Sequence, residues 1–304
     1  MRAVFVDANP TLGDLAERLH KSASDPAVTV NRQPDVKPAD LPAVLGDAEI
    51  AWVDHTYLPT DVARQCKGLK HVVFLGTGAR SYMNVEELAG LGIDVHLIKG
   101  YGDTAVAECA FALMWAASKG FATMDRGMRG GNWLRMDGVQ LTGKTIGLIG
   151  YGGIAAEMAR LCLGAGMKVL AWNRSKKDAP EGVTFVELDQ LLNLSHVVSM
   201  HLLLNDETRG FLSAERIAKM RPGAILVNTA RGAVVDEAAM IAALQSKQIG
   251  AAGLDVFDVE PLPKDHPLTK LDNVTLSAHS AFRTPEASEN LIEAALNHTR
   301  RIAK

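Results

Sequence analysis

Residues 141–174 read LTGKTIGLIGYGGIAAEMARLCLGAGMKVLAWNR, and no other stretch restricts the fold so tightly. An apolar strand at 145–149 runs into a glycine-rich turn. The turn opens a helix with small and apolar residues at helical spacing, and a second strand follows at 168–172. Such a βαβ unit implies parallel strands joined by a crossover helix. The turn has the order G-x-G-x-x-A: Gly150 takes the tight bend, Gly152 lets backbone approach a ligand, and Ala155 keeps helix close to strand. Gly150, Tyr151, Gly152, Gly153 and Ile154 would then hold a pyrophosphate at the positive N-terminus of the helix. A glycine pattern alone also describes an ordinary tight turn; the flanking elements point to a dinucleotide.

Where the second strand ends, a dinucleotide site meets the adenosine ribose, and a carboxylate there favours NAD and repels a 2′-phosphate. This chain has Asn173, then Arg174, Ser175, Lys176 and Lys177. Positive charge and hydroxyl donors suit a phosphate, so NADP(H) is expected over NAD(H). The competing reading is a solvated basic turn.

A chain of 304 residues is long enough for two domains with their own cores. With 47% hydrophobic residues, 22% charged residues and a formal charge of −3, no basic field points to nucleic acid. The sequence begins with a strand-like run, and no segment reaches the apolar length of about 18 residues that a membrane span needs. A cytoplasmic protein is expected. Cys66, Cys109 and Cys162 are widely spaced and odd in number, which argues for reduced thiols, and no His/Cys cluster has metal spacing.

Strand-like runs at 3–6, 28–30, 50–53, 71–75 and 94–98 alternate with helical or linking stretches, predicting a doubly wound α/β domain over 1–99. The stretch 104–119 is apolar nearly all round, predicting a helix buried between domains or subunits. A second series of strands, through Thr145, Val169, Val197, Ile225, Ala252 and Val274, predicts a dinucleotide-binding domain over 100–282. Residues 285–304 read as a terminal helix, with Ala287, Leu291, Ile292, Ala295 and Ile302 on its apolar side, so 283–304 is expected to return to the first domain. Residues 126–137 are too glycine-rich for a helix and read as an arm.

Polar residues fall just after later strands, where open α/β sheets collect ligands. Arg231 follows the strand at 224–228, suited to clamp a carboxylate or to a capping role. Asp255 is placed within a short strand, Glu260 in a turn before Pro261, and His279 at a strand end with Ser277 nearby.

Gly150 to Ala155, HLLLNDETRGFL from His201, RPGAILVNTARG with Arg231, GLDVFDVEP with Asp255 and Glu260, and His279 together carry a resemblance over nearly the whole chain. The protein resembles the D-isomer-specific 2-hydroxyacid dehydrogenase family. That resemblance implies two doubly wound parallel-sheet domains, a Rossmann nucleotide-binding domain inserted into a flavodoxin-like substrate domain, and a homodimer built largely through the nucleotide domains. It implies that His279 protonates the carbonyl oxygen of a 2-oxo acid, that Glu260 bonds the imidazole and favours its charged form, and that Arg231 binds the substrate carboxylate and carbonyl. Asp255 would accept from the nicotinamide carboxamide, with Thr104, Val106 and Ala107 bordering that ring. His201, Thr229 and Ala230 join the cofactor set, and the amides of Gly76, Thr77, Gly78 and Ala79 would hold the substrate carboxylate.

Two departures bear on the substrate. The loop continues Ala79-Arg80-Ser81-Tyr82-Met83-Asn84 where relatives often have Asp and Asn, leaving Arg80 to a second anionic group or to solvent. Asp54-His55-Thr56-Tyr57 stands where phosphoglycerate-oxidising relatives often carry Arg, so a phosphorylated substrate is not expected, and the chain ends at Lys304 without a regulatory domain, which argues against a role in serine biosynthesis. Glyoxylate or hydroxypyruvate reduced by NADPH is the expected reaction. The rivals are a formate- or phosphite-type dehydrogenase of the same fold and a dinucleotide-sensing corepressor or scaffold.

Overall fold

The computed structural model describes residues 1–20, 26–33 and 35–304. They form two compact units, Met1–Gly102 with Arg283–Lys304, and Asp103–Phe282. The second unit is therefore inserted in the first.

The first unit contains β1 (Ala3–Phe5), α1 (Pro10–Leu19), β2 (Val28–Val30), α2 (Leu41–Leu45), β3 (Ile50–Val53), α3 (Thr60–Ala63), β4 (His71–Phe74), α4 (Val85–Gly90) and β5 (Asp94–Leu97). The strands are parallel in the order β2-β1-β3-β4-β5. All four residues of β3 are buried, as expected of a central strand covered on both faces. The chain winds outward in one direction from β1 to β2 and in the other from β3 to β5, so its switch point lies between β1 and β3.

The second unit contains α5 (Asp103–Lys119), α6 (Phe121–Arg129), β6 (Thr145–Ile149), α7 (Gly153–Gly164), β7 (Lys168–Trp172), β8 (Val183–Phe185), α8 (Leu188–Leu194), β9 (Val197–Met200), α9 (Ala214–Lys219), β10 (Ala224–Asn228), α10 (Glu237–Gln245), β11 (Ile249–Leu254) and β12 (Val274–Leu276). Its seven parallel strands run β12-β11-β10-β9-β6-β7-β8, with the switch point between β6 and β9. The apolar α5 packs within this unit against α7, β10 and β11, where Ala107, Ala110 and Met114 join Ala155 and Met158 in one core.

The last element, α11 (Pro285–Ile302), belongs to the first unit. Its Leu291, Ile292, Ala295 and Leu296 pack with Phe5 and Trp52, and the Trp52 indole donates to the buried Thr299 hydroxyl at 2.8 Å. Three details differ from the sequence expectations. The first unit extends through Gly102, past 99, because Tyr101 packs into its core before α5 begins. Residues 126–129 complete α6, whose Thr123 hydroxyl is anchored on the Asp272 carbonyl, and only the following stretch is irregular. The edge strand β8 adds to the sheet with only three residues, too few to show a periodicity.

Candidate active site

At the switch point of the second unit, Gly150 ends β6 with φ +87, and a Cβ there would sit 2.6 Å from the His201 carbonyl oxygen at the end of β9. Only glycine fits that bend without strain. Gly152 precedes α7 with no side-chain cap, and a Cβ on it would meet nothing within 4 Å. Open space above uncapped helix amides suits a diphosphate, so these residues fit a bound dinucleotide. At Gly153 a Cβ would collide with the Asp103 carboxylate, whose pKa is raised by burial and by Glu157. Nothing in the spacing of the sequence signalled that contact. Tyr151 is buried edge-on against Phe185. Ile154 is half-buried against the core shared by α5 and α7.

Next along the sheet edge, β10 delivers Thr229, Ala230 and Arg231. The Asn228 side chain accepts from the Ala230 amide at 3.0 Å and donates to the Arg231 carbonyl at 2.9 Å, clamping the turn. Gly232 lies so close to the Phe257 and Asp258 backbone that a Cβ would be 1.9 Å from the Phe257 carbonyl carbon, so the Arg231 loop is pressed onto the loop after β11. The buried Thr229 hydroxyl has no partner among the described residues.

That second loop carries Glu260. One carboxylate oxygen accepts the Phe257 amide at 2.9 Å and the other lies 2.6 Å from His279 Nδ1. A carboxylate only accepts, so Nδ1 donates and Nε2 is turned away from Glu260. His279 adopts φ +48, unusual for a residue with a Cβ. Its amide donates to the Asp255 carbonyl at 2.7 Å. The Asp255 carboxylate accepts the amides of Ser280 at 3.0 Å and Ala281 at 2.9 Å, together with the Ser277 hydroxyl. Three loops, after the consecutive strands β10, β11 and β12, thus present a guanidinium, a carboxylate and an imidazole braced from behind, an arrangement chemically able to pass a proton to a carbonyl oxygen.

Residues 111–281 match the family described as D-isomer specific 2-hydroxyacid dehydrogenase, NAD binding domain. The chain belongs to that family. This 2-hydroxyacid dehydrogenase is 37% identical over 241 residues to a hydroxypyruvate reductase of Thermotoga maritima, covering 78% of each chain. Among solved structures it is similar to a glyoxylate reductase from Paecilomyes thermophila, with TM-score 0.88, 27% identity and coverage of 100% of this chain and 95% of that one. It is also similar to an acyclic imino acid reductase in complex with NADPH and D-Arg, with TM-score 0.85, 28% identity and coverage of 100% and 97%. A nicotinamide dinucleotide is the cofactor of such a domain.

In this dehydrogenase several side chains stand differently from the sequence expectations. Asp255 follows β11 instead of lying within it, is fully buried, and spends its carboxylate on the His279 loop. The Asn173 carbonyl accepts the Tyr151 amide at 3.1 Å while its amide nitrogen donates to Ser175, and Lys177 Nζ donates to the Tyr151 carbonyl at 2.5 Å; both brace the glycine turn. Arg174 is exposed and paired with Glu207. Thr104 is exposed in the first turn of α5, but Ala107 is buried in the core and cannot border a ligand. His201 bonds Ser199 at 2.9 Å, and burial pushes its pKa down to about 4, keeping it neutral.

In the first unit, Gly76 to Ala79 follow β4. The Gly76 amide donates to the Phe74 carbonyl at 2.8 Å, whereas the amides of Thr77, Gly78 and Ala79 have no backbone acceptor among the described residues. Arg80 is exposed and paired with Glu86, with Nη1 donating at 2.8 Å.

Proposed function

We propose that this enzyme reduces a small 2-oxo acid, glyoxylate or hydroxypyruvate, to the D-2-hydroxy acid, with NADPH preferred over NADH. The observation that carries the reading is the 2.6 Å bond from His279 Nδ1 to a Glu260 carboxylate whose other oxygen is fixed by the Phe257 amide. It orients the imidazole so that Nε2 gives a proton to the substrate carbonyl oxygen and recovers it in the reverse direction. Arg231 holds the substrate carboxylate and polarises the carbonyl. The dinucleotide, when bound, supplies the hydride.

NADPH is favoured because no acidic side chain ends β7, where Arg174, Ser175 and Lys176 follow. The chain is read as a cytoplasmic homodimer: no described helix is long and apolar enough to cross a membrane. Phe121, Met128, Trp133 and Leu134 on α6 and the arm after it are 56%, 50%, 74% and 43% exposed, an apolar surface that suits a second copy. Steady-state rates with glyoxylate, hydroxypyruvate, pyruvate and bulkier 2-oxo acids, each with NADPH and NADH, test the reading. Reduction of none of them overturns it, and a clear NADH preference overturns the cofactor assignment.

A further inference from the structure

The glycine turn of the second unit is flanked by a negative charge that no step of the proposed reaction uses. Asp103 opens α5, Gly153 opens α7, and the two helices pack together. A Cβ built on Gly153 would lie 1.8 Å from Asp103 Oδ2, so the carboxylate stands against the backbone of the first residue of α7. One residue earlier, a Cβ on Gly152 would meet open space. The half-buried carboxylate and the space read as the diphosphate site therefore border the same helix end.

A carboxylate and a diphosphate both draw on the partial positive charge at a helix N-terminus, and their own charges repel. Among the described residues little offsets that repulsion. The charged group that acts on Asp103 from α7 is another carboxylate, Glu157, whose own partner is Arg160 at 3.0 Å. Of the cations around the turn, Lys177 donates to the Tyr151 carbonyl at 2.5 Å and Arg174 is paired with Glu207. Burial, and after it Glu157, raises the Asp103 pKa above the ordinary carboxylate value, and the negative charges of a diphosphate act in the same direction.

We propose that Asp103 sets the affinity of the enzyme for its dinucleotide: the carboxylate opposes the diphosphate at the start of α7, and the cofactor binds together with a proton that Asp103 takes from water. The assignment rests on the reading of the glycine turn as the diphosphate site and adds to it a residue that weakens binding. Weaker binding hastens exchange of the spent cofactor, a step that limits turnover in many enzymes.

The test is the Kd of NADH and of NADPH by fluorescence titration, in the unaltered enzyme and in Asp103→Asn, which removes the charge and keeps the shape. At about pH 8 both Kd values are expected to fall about fivefold or more in the variant, since both cofactors carry the diphosphate. The gain shrinks as the pH falls toward about 5, where Asp103 of the unaltered enzyme is itself increasingly protonated. A carboxylate in the first turn of α5 also favours the dipole of that helix, so a role in folding alone predicts lower stability and weaker binding together, the opposite sign for Kd. Calorimetry of NADH binding in buffers of different ionisation enthalpy reads the proton: uptake is expected in the unaltered enzyme and is lost in Asp103→Asn. NADH is the probe there because it lacks the 2′-phosphate, which titrates near about pH 6. Asp103→Ser serves in both measurements if the asparagine protein melts early. An unchanged or higher Kd, a gain for NADPH alone, or the same proton uptake with and without the carboxylate overturns the assignment. If neither cofactor binds, or Gly152→Val leaves both Kd values unchanged, it is the diphosphate reading that fails; if Gly152→Val weakens binding and Asp103→Asn does nothing, only the role of Asp103 does.

Discussion

The two units have sheets that switch direction in the same way, and they treat the crevice at that point oppositely. Between β6 and β9 the backbone is left bare: Gly150 and Gly152 carry no side chains, and α7 starts without a side-chain cap. Between β1 and β3 the backbone is consumed: Asp7 takes three amides, Asn9 caps α1 by accepting the Leu12 amide at 3.0 Å, and Pro10 removes another donor. An uncapped helix end with open space above it is an anion site, whereas a satisfied one is not. The same topology therefore leaves open space above uncapped helix amides in one unit, the form proposed to cradle a diphosphate, and in the other a loop whose amides are already taken.

The sharpest blow to this contrast falls on the side proposed to do the chemistry. His279→Ala is expected to lower 2-oxo acid reduction about 10²–10⁴-fold with cofactor binding retained, measured by steady-state kinetics and by fluorescence titration with NADPH. Near-normal turnover would remove the imidazole from the reaction. In the first unit, Asp7→Ala strips the acceptor from three amides at once and is expected to cost about 3 kcal/mol in urea unfolding, about 1 kcal/mol for each charge-assisted bond lost. A loss below about 0.5 kcal/mol would mean that water satisfies those amides and the crevice is not sealed.

The crevice of the second unit also makes a statement about pH. The unfolded chain protonates His201 near its ordinary value of about 6.5 and the folded chain only near about 4, so the unfolded state binds more protons in that window. Stability is expected to fall by about 2 kcal/mol as the pH drops from 6.5 to 4, a slope that His201→Gln flattens in urea titrations. Gly152→Val separates binding from folding: the space above it is empty, so the melting temperature should hold while the Kd for NADPH rises about tenfold or more. A valine tolerated by both properties would place the diphosphate elsewhere. The smallest effect is expected from Glu207→Gln, which frees Arg174 from an exposed pair and shifts preference toward NADPH by about two- to fivefold in kcat/KM.

Much of the fold was legible because parallel α/β architecture repeats one local signal, a short apolar run followed by a helix, and each run from β1 to β5 stands within a residue of where periodicity puts it. The terminal helix was equally plain, since Ala287, Leu291, Ile292 and Ala295 all face the core. At the candidate site, Arg231, Glu260 and His279 stand out in the sequence by their motifs, and the Glu260–His279 bond is where the resemblance implies it. The work done by Asn173, Lys177 and Asp255 was not legible. Each was assigned outward, to a cofactor, and each turns inward to hold a loop.

What the sequence alone determined is the set of local choices: where glycine releases the backbone, where apolar periodicity demands a covered face, and which chemical groups end each strand. What only the tertiary structure decided is which of those groups are free to meet a ligand. A donor or acceptor has few partners, and whether Asp7, Asp255 or Asn173 spends them on backbone or on substrate depends on amides brought close by parts of the chain up to 49 residues away.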